Sequence, residues 1–227
     1  MKVTVIAICV LFNLLACVHA ATIFARQGQA EIQRGSLRLR AVKGAMLKQG
    51  DLVRTYGNGE VVIVFDDGSV TSLRHNTELK LEAYRLRGAP EQRSKVISLA
   101  IGTVRYVSSV FVRGPKMNTA LTTETATIGI RGTDFELSYF RADGDDTDAT
   151  GTYVKVNSGL VAITGNDGSE VEVGAAQVAF AGEPALAPKD GGVPVERATK
   201  LTTGNSPKVF SAGGKLDGTF VNPIRRQ

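Results

Sequence analysis

Glu60-Val61-Val62-Ile63-Val64-Phe65-Asp66-Asp67-Gly68-Ser69-Val70-Thr71-Ser72-Leu73 is the stretch of this chain that decides its fold. Two runs rich in β-branched and apolar residues flank the dipeptide Asp67-Gly68. An Asp-Gly pair between such runs is typical of a tight β-hairpin, because the turn requires positive φ angles that these residues tolerate. The uninterrupted apolar run over residues 61–65 indicates a strand buried on both faces. The stretch therefore predicts a hairpin whose first strand lies in the core.

The same pattern returns further along the chain. A run from Leu160 to Ile163 is followed by Asn166-Asp167-Gly168-Ser169 and by a second run that ends at Val173. No run of about ten or more residues has a clean helical period. Elsewhere, apolar residues alternate with period two, which places them on one face of a strand; these are Leu79/Leu81, Val104/Tyr106, Ile128/Ile130, Phe135/Leu137/Tyr139 and Val154/Val156.

These signals predict one all-β domain of many short strands over residues 30–182. A β-sandwich, a barrel, a β-solenoid and a β-roll all satisfy the pattern. No fixed period of roughly 20 to 50 residues is apparent, which disfavours a regular solenoid. From residue 183 to 227, prolines and glycines interrupt every candidate element. We expect this segment to be a flexible, largely disordered C-terminal tail.

The composition is that of one globular domain. The chain has 227 residues, of which 43% are hydrophobic and 22% charged, with 25 glycines and no tryptophan. This composition excludes a coiled coil, a collagen and a polytopic membrane protein. The composition favours turns and short strands, because glycine is frequent and aromatic residues are few.

The N-terminus has the pattern of a secretory signal. Lys2 precedes an apolar run that ends in Val18-His19-Ala20, with small residues at the positions that signal peptidase reads. We expect cleavage after Ala20, so that residues 1–20 are a signal peptide and the protein is exported, either periplasmic or secreted. In a second interpretation, Leu14-Leu15-Ala16-Cys17 resembles a lipobox, and lipid chains on Cys17 would hold the protein to a membrane. No later stretch is apolar for long enough to span a membrane.

Cysteine and charge exclude further classes of function. Both cysteines, Cys9 and Cys17, lie within the expected signal, so a chain cleaved after Ala20 has neither a disulfide nor a thiolate site. Residues 21–131 hold 17 basic and nine acidic residues, whereas residues 132–180 hold two basic and nine acidic ones. The basic residues are scattered singly and lack interleaved aromatics for stacking, so nucleic-acid binding is not expected.

No catalytic motif is present, and we do not expect an enzyme. After the signal the one histidine is His75, in a polar turn, which cannot by itself form a triad or a metal site. The densest group of carboxylates is formed by Asp143, Asp145, Asp146 and Asp148. Close-spaced aspartates can bind calcium, but the spacing is not that of an EF-hand, and we favour a solvated loop without any cofactor.

An ordered series of short motifs resembles the FecR domain family. The series begins with Gly50-Asp51-Leu52-Val53-Arg54-Thr55, continues through the strand 61–65 with its Asp67-Gly68-Ser69 turn, and includes Gly102-Thr103-Val104. Its most characteristic stretch runs from Thr122 to Arg131-Gly132-Thr133-Asp134-Phe135. The family residues that we expect to be structural are Gly50, Asp51, Thr55, Asp67, Gly68, Ser69, Gly132, Thr133 and Phe135.

The resemblance implies an exported all-β binding or regulatory module rather than an enzyme. The regulators after which the family is named also carry a cytoplasmic sigma-factor-binding region and a membrane span. This sequence resembles neither of those two parts. Our leading hypothesis is a module that binds an envelope protein or a matrix component through a sheet edge or a loop rim. The alternative is a sensor of a small anionic ligand that uses Arg54, Arg74 and Arg131. A carbohydrate-active enzyme would instead require two carboxylates facing each other in a cleft.

Overall fold

The computed structural model describes residues 19–108, 117–141, 150–182 and, for the backbone alone, 199–201. It is all-β, as predicted: the described residues form 13 strands and a single 3-10 turn at Pro90–Gln92. The strands are β1 (Ala21–Arg34), β2 (Leu37–Arg40), β3 (Met46–Leu47), β4 (Leu52–Phe65), β5 (Val70–Leu73), β6 (Glu78–Arg85), β7 (Ser94–Val107), β8 (Asn118–Thr122), β9 (Ala126–Phe140), β10 (Gly151–Gly165), β11 (Glu170–Gly174), β12 (Val178–Gly182) and β13 (Thr199–Leu201).

Both predicted hairpins are confirmed. The turn at Asp67-Gly68 joins β4 to β5, and the turn at Asp167-Gly168 joins β10 to β11. Gly68 and Gly168 have φ values of 83° and 80°, the left-handed region that glycine adopts without a Cβ clash. Strand β4 is also buried along its apolar run, with Val64 alone half-buried among residues 61–65.

The strands form one sheet in which all ladders are antiparallel except the parallel pair β7–β8. Many of the strands are short, as predicted, but β1, β4, β7, β9 and β10 each have 14 or 15 residues. Bulges and glycines bend these long strands, so one strand can change neighbours along its length. β7 pairs with β6 over residues 94–101 and then with β5 over residues 104–107.

Two halves of the sheet repeat one another with a shift of 100 residues. Val61 pairs with Leu73 in the first half, and Val161 pairs with Val173 in the second. The two described non-glycine residues with positive φ have the same shift, namely Asn76 (50°) and Ala176 (60°). Strand β1 joins the edge of β4 as β9 joins that of β10. The unit β1–β4–β5–β6 therefore recurs as β9–β10–β11–β12.

The core runs through both halves as one apolar cluster. Its largest fully buried apolar and aromatic side chains are Tyr106, Tyr139, Phe135, Ile23, Ile32, Ile63, Leu73, Leu79, Ile97, Leu99 and Leu121. Their burial removes apolar surface from water, which is the main stabilising contribution to the fold.

The β structure extends beyond the sequence-based boundaries at both ends. It begins at Ala21, upstream of residue 30, and Ala20 and Ala21 are already buried. Within the expected tail, β13 pairs with β12, so these three residues belong to the sheet; the rest of residues 183–227 lies outside the described part. No helix in the described ranges is long and apolar enough to cross a membrane.

Candidate binding site

Strand β2 forms one end of the sheet and presents an open edge. It pairs with β1 through four residue pairs, from Glu31↔Arg40 to Arg34↔Leu37, and no other described strand pairs with it. All four of its residues are exposed. Because side chains alternate along a strand, Leu37 and Leu39 lie on one face while Arg38 and Arg40 lie on the other. The edge therefore combines unpaired backbone groups with one cationic face and one apolar face.

A cavity of about 530 Å³ opens between this hairpin and β4. The residues that line it include three arginines, which are Arg26, Arg38 and Arg40, together with Glu31, Tyr56, Leu39 and Val42. Arg26 donates a hydrogen bond of 2.6 Å to the carbonyl of Gly28. Within the described ranges, neither Arg38 nor Arg40 forms an ion pair with a carboxylate of the chain itself. The cavity wall therefore carries positive charge that is available to an external anion.

Among the described residues that line the cavity, the one acidic side chain is that of Glu31, and it is already engaged. The Tyr56 hydroxyl donates to Glu31 Oε1 at 2.6 Å, and Arg54 Nη1 lies 3.7 Å from the same oxygen. The hydrogen bond to Glu31 raises the pKa of Tyr56, and burial and the charge of Glu31 act in the same direction. Tyr56 therefore remains a protonated donor at neutral pH, and the charge of Glu31 is compensated from within the chain.

Exposed apolar side chains are concentrated in the segment of the chain that contains β2. Five of the six large hydrophobic side chains that are exposed in the described residues lie between residues 24 and 46, and they are Phe24, Leu37, Leu39, Val42 and Met46. Leu39 and Val42 line the cavity together with its arginines. Exposed apolar residues beside cations in a cavity are typical of a binding surface. We refer to β2 and this cavity together as the β2 surface.

The arginines predicted from sequence lie elsewhere. Arg54 donates to Glu78 at 2.9 Å and to Gln33 at 2.5 Å, so its guanidinium is held within a side-chain network. Arg74 is buried, and its Nη2 lies 3.7 Å from Glu136 Oε2. Neither lines the cavity. In β9, the backbone of Arg131 pairs with Leu160 of β10, but the side chain of Arg131 lies outside the described residues.

The four aspartates of the predicted acidic loop, Asp143, Asp145, Asp146 and Asp148, lie outside the described residues. Within the described ranges, no group of three or more histidine, cysteine, aspartate or glutamate side chains could hold a metal ion.

The structure places the family-motif residues at turns and in the core. Asp51 is buried, accepts the backbone N–H of Lys48 at 2.8 Å, and receives two hydrogen bonds from Arg34. Gly50, at φ 88°, precedes it, and Thr55 Oγ1 donates to the carbonyl of Arg74 at 2.6 Å. These contacts tie the start of β4 to β1 and to the turn between β5 and β6.

The remaining motif residues occupy two further places. Asp67 Oδ1 accepts both the backbone N–H and the hydroxyl of Ser69, which closes the turn around Gly68. In β9, Gly132 has a φ of 63°, and its carbonyl lies where a Cβ on Gly159 would collide. Thr133 and Phe135 are fully buried. None of these side chains reaches the β2 surface.

Sequence reasoning missed the arginines of the β2 surface. A signal was present, since Gly35-Ser36 is followed by the alternating tetrapeptide Leu37-Arg38-Leu39-Arg40. Alternation identifies such a segment as a strand. It does not show that the strand lies at the end of the sheet, because strand order depends on pairings between distant segments.

Comparison with known proteins gives one family. The model of the family described as FecR protein matches residues 51–162, in agreement with the resemblance drawn from the motifs. No curated protein sequence matches the chain. Two crystal structures of a proposed anti-sigma factor from Parabacteroides distasonis ATCC 8503, at 1.65 and 2.50 Å resolution, are 14% identical, with TM-scores of 0.45 and 0.46. The match covers 66% of this chain and 59% of theirs, so this chain spans less than two thirds of their length.

Proposed function

We propose, from the premise that residues 51–162 form a FecR domain, that this protein is a non-enzymatic binding and regulatory module of the cell envelope. In this proposal the β2 surface binds an extended, acidic segment of a partner protein. The observation that carries it is the open edge of β2, where exposed Arg38 and Arg40 face a cavity and have no ion pair among the described residues.

The chemistry of the edge selects the partner. An open strand edge offers unpaired N–H and C=O groups to which an extended segment can add as a further strand. A second β2 would place arginine beside arginine on the same face, which destabilises the pair. A segment that alternates carboxylate and apolar residues would instead place its carboxylates next to Arg38 and Arg40. Its apolar residues would lie next to Leu37 and Leu39.

The N-terminal sequence supports an envelope location for this interaction. Residues 1–20 carry the apolar run and the small residues of an export signal. The basic excess of residues 21–131 would also steer an acidic partner towards the half of the sheet that contains β2. Both features suit a regulator that recognises an acidic protein segment outside the cytoplasm.

The proposal is tested with the full chain and a synthetic peptide of sequence Glu-Val-Glu-Val-Glu-Val. We expect the double variant Arg38→Glu/Arg40→Glu to weaken binding by about tenfold or more, since two charge-assisted contacts are lost. The matched control is Arg85→Glu/Arg87→Glu, which makes the same charge change at two exposed arginines away from the cavity. Binding should fall with added salt, as for any contact between exposed charges.

Two results would contradict this function. One is equal weakening by the control variant, which would indicate attraction to net charge rather than to β2. The other is binding of inorganic phosphate to the cavity at the affinity of the peptide, with loss of both in the double variant. That outcome would favour a sensor of a small anion, with Arg26, Arg38 and Arg40 in place of the Arg54, Arg74 and Arg131 expected from sequence.

A further inference from the structure

Strand β11 has an open edge in the second half of the sheet. It pairs with β10 along one side, and no described strand pairs with its other side. Glu170 and Glu172 are exposed, whereas Val171 is half-buried and Val173 is buried. Because side chains alternate along a strand, the two glutamates lie on one face and the two valines on the other. β11 therefore has an anionic face and an apolar face.

The residue pattern of β11 is complementary to that of β2. Strand β2 alternates leucine with arginine, and β11 alternates glutamate with valine. An antiparallel ladder between the two edges would place Leu37 opposite Val173, Arg38 opposite Glu172, Leu39 opposite Val171 and Arg40 opposite Glu170. Opposite charges and apolar residues that face each other across a ladder both stabilise it. Two β2 edges, or two β11 edges, would instead bring like charges together on one face.

The apolar faces of the two strands also match in direction. Leu39 is paired with Ile32 of β1, and Val171 is paired with Ile163 of β10. Ile32 and Ile163 both belong to the apolar core, and residues directly opposite each other in a ladder lie on the same face. A ladder that joins Leu39 to Val171 therefore continues the core face of one sheet into the core face of the next. The arginines and glutamates then meet on the opposite face.

We propose that β2 of one copy of this chain pairs antiparallel with β11 of a second copy. This inference rests on the proposed function, because it uses the β2 surface and names β11 of another copy as its acidic segment. Within one copy the two strands are not paired with each other, and the strands from β10 to β1 lie between them in the sheet. Each copy contributes one edge of each kind, so the copies join head to tail into a ring or a filament. The contact covers two edges that are otherwise open to unrelated chains.

Sedimentation velocity of the full chain over a range of concentrations tests the proposal. We expect self-association that increases with protein concentration and weakens with added salt. The double variants Arg38→Glu/Arg40→Glu and Glu170→Arg/Glu172→Arg should each weaken it by about tenfold or more, since each places like charges across the ladder. An equimolar mixture of the two variants should associate again, because every ladder in the mixture can then join opposite charges.

The matched control is Glu82→Arg/Glu91→Arg, which makes the same charge change at two exposed glutamates outside the ladder. It should leave self-association unchanged, and equal weakening by this control would overturn the proposal by indicating attraction between net charges. A full chain that remains monomeric at every concentration would also overturn it. So would a mixture of the two double variants that does not associate.

Peptide binding separates this result from the proposed function. Binding of Glu-Val-Glu-Val-Glu-Val is measured on the unmodified chain at concentrations at which that chain is monomeric. A chain that binds the peptide through β2 but never self-associates would refute the pairing of β2 with β11 and would leave the proposed function standing. Absence of peptide binding would refute the proposed function, whereas the mixture of the two variants still decides whether the two edges pair.

The peptide also provides a direct test of the shared site. Since one β2 edge can pair with only one strand, saturating peptide should dissociate the assembled chain into monomers. Assembly that persists unchanged while the peptide is bound at β2 would show that the copies join through other surfaces, and would overturn the proposal.

Discussion

Lys95 and Asp67 form a salt bridge in the interior of the protein, with Nζ 2.7 Å from Oδ2 and side-chain exposures of 0% and 1%. The same ammonium group contacts the hydroxyl of Ser69 and lies 4.4 Å from the centre of the Phe65 ring and 5.1 Å from that of Tyr106. The Asp67 carboxylate, the Ser69 hydroxyl and two aromatic rings thus replace the water molecules that normally solvate a lysine ammonium group. The pair fastens the first hairpin turn to β7.

Lys95→Met should destabilise the fold strongly. The substitution keeps an unbranched side chain but leaves Asp67 buried without a cation, which typically costs about 3–5 kcal/mol. Lys80→Met is the matched control, since Lys80 and Glu82 form an exposed pair at 2.9 Å whose loss should cost no more than about 1 kcal/mol. Urea unfolding of both variants measures the difference.

Adding Asp67→Asn to Lys95→Met should recover part of the lost free energy of unfolding, because the uncompensated charge is then removed as well. The second hairpin provides a further comparison. Asp167 makes the same contacts to Ser169 as Asp67 makes to Ser69, but it is exposed. Asp167→Asn should therefore cost much less than Asp67→Asn, and similar losses would show that the buried pair adds nothing to the turn.

Tyr84 should make the protein sensitive to alkaline pH. Burial raises its pKa well above the usual 10.0, and the carboxylates of Asp67 and Asp66 act in the same direction. Below about pH 10 the tyrosine is protonated in both states, so the full stability is present. Above that pH the unfolded chain loses the proton first, and stability falls as the pH rises towards the folded-state pKa.

Tyr84→Phe should make the unfolding free energy fall less steeply with rising pH. The difference in slope between the two chains should approach about 1.4 kcal/mol per pH unit. The ring stacked on Phe65 at 6.3 Å is retained, so stability at neutral pH should change little. The loss is reduced rather than abolished, since Tyr56 and Tyr139 also have raised pKa values. Unfolding free energies measured from pH 8 to 11 would refute the assignment if both chains followed the same curve.

Gly102→Ala should be far more damaging than Gly35→Ala. Gly102 has a φ of 100° at the point where β7 changes from β6 to β5, and a Cβ there would lie 2.6 Å from the Thr77 Cα. Gly35 has a φ of 58° in the β1–β2 turn, and a Cβ there meets nothing within 4 Å. The strained conformation costs about 1–2 kcal/mol at either site, and the clash adds about 1–3 kcal/mol at Gly102 alone. Thermal unfolding of the two alanine variants compares them directly.

The parts of this fold that sequence predicts are the local ones. The turns at Asp67-Gly68 and Asp167-Gly168 follow from four consecutive residues, since only such residues adopt the required φ angles readily. The sequence does not show the repeat of two halves, because the halves have little sequence in common besides the turn motif. The shift of 100 residues is also longer than the usual length of a repeat. The halves share the register of their strand pairs, which depends on contacts between distant residues and is not visible in the sequence.

Long-range pairings explain the other differences. Lysine is almost never fully buried, so nothing local marks Lys95 as the partner of Asp67, which lies 28 residues away. Similarly, Arg38 and Arg40 become site candidates only because β2 is the last strand of the sheet. Arg54 and Arg74 were expected to bind a ligand, but neighbouring strands bring Glu78 and Glu136 to them. In each case the partner is supplied by topology.

The N-terminal end of the sheet provides a final prediction about processing. Ala20 donates its N–H to the carbonyl of Leu47 at 3.0 Å, and its own carbonyl accepts the N–H of Asp66 at 3.1 Å. Cleavage after Ala20 would remove both hydrogen bonds and would leave a charged amino group on Ala21, which is fully buried. Burying a new charge and losing two hydrogen bonds both destabilise the fold.

We therefore predict that a chain beginning at Ala21 is less stable than one beginning at Val18, by about 1–3 kcal/mol. A chain beginning at Thr22 serves as the control, because it lacks Ala21 as well and should be weaker still. Cleavage further upstream, such as the cleavage before Cys17 that lipid attachment requires, would leave both hydrogen bonds of Ala20 in place. Intact mass measurement on protein from the native host distinguishes the two starts, and a first residue of Ala21 on a chain as stable as the longer one would contradict this prediction.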